Sequence, residues 1–237
     1  MIEVIPRPAT IPKLTFIYAK MQALGEPARM LMRYADIPYE DVYPWDYYGK
    51  SWREGAKQAT PFGKVPVMVV DGHTAIDQSG SIQRYLGTLT ETCPAEPLLA
   101  AQADALCENA GELFVVSNPV ANFARGKKFS EKVAEFHKIF LPRLKNFDRA
   151  LSGFPDGPFF MGAKPMYCDF TIFHHFQIAQ ILIPTIFDEF PAVGQFMVEM
   201  EKLPGVGEYL KERPQLVEVG TRPSFLVNGE RVRLGFE

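Results

Sequence analysis

The sequence contains little cysteine, with three cysteines among 237 residues. Cys93, Cys107 and Cys168 are widely spaced and form no CxxC pair, which excludes a disulfide framework and is typical of reduced thiols in a reducing compartment. The chain also lacks a long basic run, and its formal net charge is −3. This argues against nucleic acid or an anionic membrane as the partner. Because no apolar run reaches bilayer-spanning length and the first residues form no secretory signal, we expect a cytoplasmic protein that binds a small molecule.

Hydrophobic residues make up 47% of the chain, enough for a substantial core. Strand and helix patterns alternate in the first third, whereas helix-spaced apolar residues without a convincing strand fill most of the rest. The pattern predicts a small α/β domain with a mixed sheet, followed by an all-helical bundle. We divide the chain into an arm (1–12), an α/β domain (13–89), a linker (90–97), a helical domain (98–215) and a tail (216–237). Asn228-Gly229 predicts a turn in the tail.

The most informative stretch lies near the end of the α/β domain. Residues 65–70 are apolar and β-branched enough for a strand, and Asp71-Gly72 is a hairpin signal. Ser79 stands at the predicted N-cap of the next helix, where its hydroxyl and the free N–H groups would form an anion site for a carboxylate. Pro66 belongs at the first position of its strand. The Val65–Pro66 bond could be cis there, leaving the Val65 backbone free for an extended, peptide-like ligand.

This combination of a Val-Pro strand start, an Asp-Gly hairpin and a Gln-Ser helix start resembles the thioredoxin-like domain of cytosolic glutathione transferases. Residues 18–29 match, without a gap, the segment that in mu-like members runs from a tyrosine to a Pro-x-Arg sequence. The chain therefore resembles the tyrosine type of the family, which includes the mu, sigma and pi classes. The resemblance implies a thioredoxin-like domain followed by a helical bundle, and it implies catalysis by Tyr18.

In the tyrosine type, the hydroxyl at the end of the first strand donates a hydrogen bond to the sulfur of glutathione. This hydrogen bond is needed because a thiol with a pKa of about 8.5 must become mostly thiolate at neutral pH to be a good nucleophile. A charge-assisted hydrogen bond of about 1.5–3 kcal/mol is sufficient for this. Departures from the mu pattern lie at Ala19 and at Gln22-Ala23. On sequence alone, Tyr18 can also be read as a core residue.

The resemblance also implies how glutathione would be bound. Lysines and an indole would hold the glycyl carboxylate, Gln78 and Ser79 the γ-glutamyl end, and Glu112 of the partner subunit the γ-glutamyl ammonium. Asp104 competes with Glu112 for that role, and either assignment in trans makes the active unit a homodimer. The implied glutathione contacts in full are Trp52, Lys57, Lys64, Val65, Pro66, Gln78, Ser79 and Glu112 of the partner subunit. Without the resemblance, Trp52, Lys57 and Glu112 can equally be solvated surface residues.

The implied reaction is the conjugation of reduced glutathione, as co-substrate, to small hydrophobic electrophiles, a detoxification activity. Plausible walls of the electrophile pocket are Leu24, Phe114, Val115, Asn118 and Phe225. Leu24 and Pro119 replace residues that are associated with prostaglandin D isomerases of the sigma class, so we do not expect that activity. We expect no metal. The alternative function is a binding or structural role without catalysis, as in transferase-like lens crystallins and translation-factor subunits.

Overall fold

The computed structural model describes residues 2–154 and 156–232. Its first domain is built on a four-stranded sheet. The inner strand β1 (Leu14–Ile17) runs parallel to β2 (Tyr39–Val42) and antiparallel to β3 (Val67–Val70). A hairpin joins β3 to β4 (Thr74–Asp77), so the strand order is β2-β1-β3-β4. The mixed sheet predicted from the sequence is therefore confirmed.

Helices cover this sheet, and their starts follow the sequence signals. Helix α1 begins with an acid followed by proline, which suits the first turn of a helix. The helices of this domain are α1 (Glu26–Tyr34), α2 (Pro44–Tyr48), α3 (Lys57–Ala59) and α4 (Ser79–Leu89), with a 3₁₀ turn at Ala23–Gly25 and a wide π-type turn at Trp52–Ala56. The 3₁₀ turn lies directly before α1, and its Gly25 packs against the ring of Tyr18, the residue that follows β1.

The second domain is a helical bundle, as predicted. Its helices are α5 (Pro97–Phe123), α6 (Gly126–Ser152), α7 (Tyr167–Leu182), α8 (Pro191–Glu201) and α9 (Val206–Glu212). Helices α5 and α6 continue through Pro119 and Pro142. Asp169 stabilises the start of α7, because its carboxylate accepts the N–H groups of Met166 at 2.7 Å and Phe160 at 2.9 Å. Within residues 2–154 and 156–232, no helix has the length and apolarity needed to cross a membrane.

One hydrophobic core spans both domains. Phe16 and Leu31 of the sheet domain belong to the same buried cluster as Phe140 and Phe176 of the bundle. Helix α7 is buried along most of its length and packs against α5 and against α1 of the first domain. Helix α4 contacts α5 and α7. The start of α4, the 3₁₀ turn and α5 are consequently brought together where the domains meet.

The ends of the chain pack on this body. Ile5 donates a backbone hydrogen bond of 2.9 Å to Cys93, and Ala95 donates one of 3.0 Å to Glu3, so the arm pairs with the linker. Gln215 and the tail form an antiparallel sheet of three short strands, β5 (Gln215–Val217), β6 (Ser224–Val227) and β7 (Glu230–Arg231). The predicted Asn228-Gly229 turn is confirmed, with φ angles of 51° and 83°. Residues 233–237 of the predicted tail lie outside the described residues.

Candidate functional site

Tyr18 lies directly after β1 and beneath the 3₁₀ turn, and only 5% of its surface is exposed. Its ring packs so closely on Gly25 that a Cβ added there would lie 2.5 Å from Cδ1 of the ring. Burial raises the pKa of Tyr18 to about 12, although the positive charge of Arg29 and the backbone N–H of Leu24 act to lower it. The phenol is therefore uncharged at neutral pH. Within the described residues, the Tyr18 hydroxyl donates no hydrogen bond, so its hydrogen is available to a ligand.

Arg29 holds the loop that follows Tyr18. Its buried guanidinium donates to the carbonyl oxygens of Ala19 at 2.9 Å and Met21 at 2.7 Å, and to the Asp41 carboxylate at 2.8 Å. The guanidinium also lies 5.7 Å from the centre of the Tyr18 ring. Burial lowers the pKa of Arg29, but Asp41, Tyr209 and Glu26 together outweigh this and the pKa stands above its ordinary value. The Pro-x-Arg sequence is thus a structural support of the tyrosine loop.

A second set of buried charges joins the two domains. The Glu26 carboxylate at the start of α1 is fully buried, and it accepts hydrogen bonds from Arg213 at 2.8 Å and from the Tyr209 hydroxyl at 3.1 Å. Arg29 lies 3.7 Å from the same carboxylate. The sequence identifies Glu26 only as a helix-start acid. Its partners are 183 and 187 residues away along the chain, and no local pattern could indicate them.

The start of α4 differs from its prediction by one residue. Gln78, not Ser79, is the N-cap, with φ 65° and ψ 122°, and α4 begins at Ser79. The prediction of Ser79 as the N-cap is therefore wrong, because the left-handed backbone at Gln78 ends the strand and lets Ser79 enter the helix. Within the described part of the chain, no hydrogen bond engages the Ser79 hydroxyl. The hydroxyl and the first N–H groups of α4 are thus free for a ligand.

The Val65–Pro66 bond is cis, as the sequence suggested. Across residues 2–154 and 156–232, no backbone hydrogen bond engages Val65, and its side chain is half-buried next to a buried Pro66. Lys57 and Lys64 are exposed, and Trp52, at the start of the π-type turn, is half-buried. An extended ligand could therefore reach the Val65 backbone.

A cleft of about 40 Å³ lies between the 3₁₀ turn, α4, α5 and α7. We call it the interdomain cleft; its lining includes Leu24, Ser79, Gly80, Cys107, Glu108 and His175. Leu24 and Ser79 were both predicted as site residues, and the fold brings them together. Glu108 and His175 were not predicted. A regular helix of mixed composition gives no sequence signal that would single out one glutamate over another, and an adjacent histidine pair on α7 resembles ordinary core.

The two acids predicted to bind the γ-glutamyl ammonium, Asp104 and Glu112, lie close to arginines of the same chain. Asp104 accepts from Arg84 at 2.7 Å and from the Tyr167 hydroxyl. Glu112 has a side chain that is 68% exposed, and it lies 3.6 Å from Arg143 in the groove between α5 and α6. Neither acid lines the interdomain cleft of its own chain.

The other predicted pocket walls are dispersed. Phe114 is half-buried, with its ring 6.4 Å from that of His175. Asn118 accepts a hydrogen bond of 2.9 Å from Asn122 one turn later on α5. Val115 is 72% exposed, whereas Phe225 is buried within the tail sheet. Phe114 and Leu24 are thus connected to the cleft, and Phe225 contributes almost no open surface.

The three thiols and the imidazoles of His174 and His175 are buried, which makes them poor nucleophiles. All three cysteines are buried and unpaired, and burial raises the pKa of Cys107 to about 11. Burial also lowers the pKa of His174 to about 3, with Arg213 adding to the effect. In the part of the chain that the structure describes, no group of three or more histidine, cysteine or acidic residues could hold a metal ion.

A mixed sheet with a cis-proline at its third strand, joined through a shared core to a helical bundle, defines a two-domain protein with a thioredoxin-like first domain. Family models agree with this division: the N-terminal domain of glutathione S-transferase matches residues 25–89, and the C-terminal domain matches residues 116–213. The chain belongs to the glutathione S-transferase family.

Individual relatives agree with the family models. The chain is 28% identical over 191 residues to glutathione S-transferase 2 of Onchocerca volvulus, covering 80% of this chain and 86% of the relative. It is 31% identical over 164 residues to the hematopoietic prostaglandin D synthase of Gallus gallus, covering 68% and 76%. Among solved structures, the pi-class glutathione S-transferase of Onchocerca volvulus superposes with a TM-score of 0.72 at 26% identity, covering 84% of this chain and 92% of that chain.

Proposed function

We propose that this protein conjugates reduced glutathione to small hydrophobic electrophiles, with Tyr18 as the catalytic residue. The observation that carries the proposal is the state of Tyr18. It is an uncharged phenol at the end of β1, and its hydroxyl donates no hydrogen bond within the described residues. The Leu24 side chain lines the interdomain cleft. The hydroxyl hydrogen is therefore free to bond to a sulfur that enters beside Leu24.

The reaction depends on thiolate stabilisation and proximity. The glutathione thiol loses its proton to solvent, and the Tyr18 hydroxyl donates a charge-assisted hydrogen bond to the thiolate, which lowers the thiol pKa. The sulfur then attacks an electrophilic carbon. A carbon–sulfur bond forms, and the leaving group departs with the electron pair of the bond that breaks. Arg29 acts indirectly, since it holds the carbonyls of Ala19 and Met21 next to Tyr18.

The glutathione backbone is bound along the edge of the sheet domain in this proposal. The Val65 backbone, next to Pro66, receives the cysteinyl residue, and Gln78 and Ser79 receive the γ-glutamyl carboxylate at the start of α4. Trp52, Lys57 and Lys64 are proposed for the glycyl carboxylate. The free Ser79 hydroxyl and the unengaged Val65 backbone support these assignments.

The electrophile is proposed to bind beside Leu24 and Phe114, with Val115 and Asn118 at the outer edge; little supports Phe225 there, because it is buried. We also propose that the active unit is a homodimer in the cytoplasm. Glu112 of the partner subunit is the acid that the sequence resemblance nominates for the γ-glutamyl ammonium. The exposure of Phe62 supports an apolar contact between subunits, and the three unpaired cysteines suit a reducing compartment.

The test of this function combines binding and turnover. We expect the protein to be retained on immobilised glutathione, to elute with free glutathione, and to conjugate a generic aryl halide faster than the uncatalysed reaction. Retention without turnover would support a binding role instead. An absence of both would overturn the proposal, and sedimentation at micromolar concentration would test the dimer separately.

A further inference from the structure

Gln22 lies between the loop that follows Tyr18 and the 3₁₀ turn, and its side chain reaches the helical domain. It is the N-cap of the turn, but its side chain forms no capping hydrogen bond there. Instead, its amide Nε2 donates a hydrogen bond of 2.8 Å to the carbonyl oxygen of Pro214, 192 residues further along the chain. Only 3% of Gln22 is exposed. A buried amide therefore joins the tyrosine loop to the end of the helical domain.

The acceptor of this hydrogen bond is held in place. Pro214 follows Arg213, whose guanidinium donates a 2.8 Å hydrogen bond to the buried carboxylate of Glu26. A carbonyl oxygen can only accept, so the NH₂ group of Gln22 must face Pro214. The other amide atom, Oε1, is then left buried without a partner within the described residues, which costs free energy. Net stability alone thus gives little reason for an amide at this position.

The turn that Gln22 begins contains a strained residue. Ala23 has a φ of 38°, a conformation that glycine adopts freely but that costs free energy for a residue with a side chain. Arg29 holds only the carbonyls that precede the turn. From the helical domain, the buried imidazole of His174 interacts with the Ala23 carbonyl, and Pro214 holds Gln22. The strained conformation is therefore maintained by contacts with the other domain.

The same turn forms the surface against which the Tyr18 ring packs. A Cβ added to Gly25 would lie 2.5 Å from the ring. The backbone N–H of Leu24 acts on the phenol as well, alongside the charges of Arg29 and Glu26 on α1. Because the ring packs directly on the turn, a shift of the turn changes the direction in which the hydroxyl points.

Resting on the proposed function, we propose that Gln22 is a positioning residue for catalysis: its hydrogen bond to Pro214 keeps the strained turn in the conformation that directs the Tyr18 hydroxyl toward the glutathione sulfur. Gln22 itself does not touch the substrate. It acts through Ala23, and the hydrogen bond would be dispensable if that position needed no support. Gln22 and Ala23 both depart from the mu pattern, and this role explains why the two departures occur together.

The experiment compares Gln22→Met with the wild-type protein by the ultraviolet absorbance of the bound thiolate, followed against pH. Methionine is similarly long and unbranched but donates no hydrogen bond. We expect the thiol pKa of bound glutathione to rise by about half a unit to one unit, and kcat/KM at pH 6.5 to fall roughly three- to tenfold. Above the thiol pKa both proteins hold thiolate, so their pH profiles should converge. The dissociation constant of S-methylglutathione, which has no thiol, should stay within about twofold of wild type.

Ala23→Gly supplies a rescue that a general loss of structure would not show. In the double variant with Gln22→Met, the thiol pKa should return toward the wild-type value, because glycine adopts a positive φ without support. Gln180→Met, an exposed change on α7, is the matched control and should keep the wild-type pH profile. If Gln22→Met does not fold, Gln22→Asn takes its place, because its amide is one methylene too short to reach Pro214; the same shift and the same rescue are expected.

Three results would contradict these expectations. If the wild-type protein lowers the thiol pKa of glutathione and Gln22→Met lowers it equally, the inference is overturned and the proposed function stands. A raised pKa that Ala23→Gly fails to lower also overturns the inference, because the amide would then act without the turn. If the wild-type protein does not bind glutathione, or binds it without lowering its thiol pKa, the proposed function fails and the inference fails with it.

Discussion

Arg213, at the end of α9, donates a 2.8 Å hydrogen bond to the fully buried carboxylate of Glu26 at the start of α1. This contact joins the helical domain to the segment that follows Tyr18. A buried pair of this kind need not add net stability. Removing one partner, however, leaves the other charge buried without a counter-ion, which is destabilising.

Arg213→Met should therefore lower the free energy of unfolding by about 3–5 kcal/mol, because Glu26 loses its principal cation. The matched control is Glu212→Gln, which removes an exposed ion pair with Arg33 between the same two helices. That change should cost less than about 1 kcal/mol. Urea unfolding of the three proteins measures both effects, and equal losses in the two variants would contradict the role of the buried pair.

Tyr18→Phe keeps the ring against Gly25 and Arg29 but removes the hydroxyl. The thiolate of bound glutathione should then lose about 1.5–3 kcal/mol of stabilisation, which corresponds to a fall of roughly ten- to hundredfold in kcat/KM at neutral pH. The ultraviolet absorbance of the thiolate, followed against pH, should report a raised thiol pKa. Tyr47→Phe, on the exposed helix α2, serves as the control. Unchanged absorbance in Tyr18→Phe would remove Tyr18 from its catalytic role.

Gln78 has a positive φ of 65° without being glycine, a conformation that costs free energy unless the surroundings enforce it. Gln78→Gly should relieve this and raise the melting temperature, with a gain on the order of 1 kcal/mol. It should also weaken glutathione binding, because the proposed γ-glutamyl contact is lost. Calorimetric melting and binding measured on the same samples test the two effects together. If Gln78→Gly lowers stability and leaves the affinity for glutathione unchanged, both expectations are contradicted. The positive φ of Gln78 would then serve the fold and not the ligand.

Acid should destabilise the fold through His174. Its pKa is about 3 in the folded protein but about 6.5 when unfolded, so between these values only the unfolded chain takes up the proton. The stability present above pH 6.5 is thus lost progressively as the pH falls toward 3, by up to about 1.4 kcal/mol per pH unit. His174→Gln should flatten this loss in denaturant titrations from pH 7 to pH 4.

Asp169 changes the pH dependence of stability in the opposite direction, since burial raises its pKa to about 7. The stability it adds is present below about pH 4 and is lost as the pH rises through 7. For this reason the His174 effect must be read as the difference between wild type and variant at each pH. A difference that does not change with pH would contradict it.

Much of the fold was predictable, because its signals are local. The β-branched run before Asp71-Gly72 predicts β3 and its hairpin, and 3.6-residue periodicity predicts the bundle. The tail sheet was not predictable in this way. Its strands contain three, four and two residues, too short for alternation to be recognised.

The candidate site was predictable only where a motif fixes the backbone. Tyr18 and Ser79 follow from motifs, but the cap at Gln78 depends on a left-handed residue that carries no glycine signal. That Glu108 and not Glu112 lines the interdomain cleft depends on how α5 packs against α4. That packing is set by long-range contacts, and both glutamates look alike in the sequence.

The buried cluster that includes both Phe16 and Phe176 makes the two domains depend on each other for their stability. Separating the chain at residues 90–97 would uncover the faces of α1, α4 and α7 to water at once. Neither half retains an intact interior by itself. We therefore expect both parts to unfold in a single transition, and the interdomain cleft to be lost when they separate.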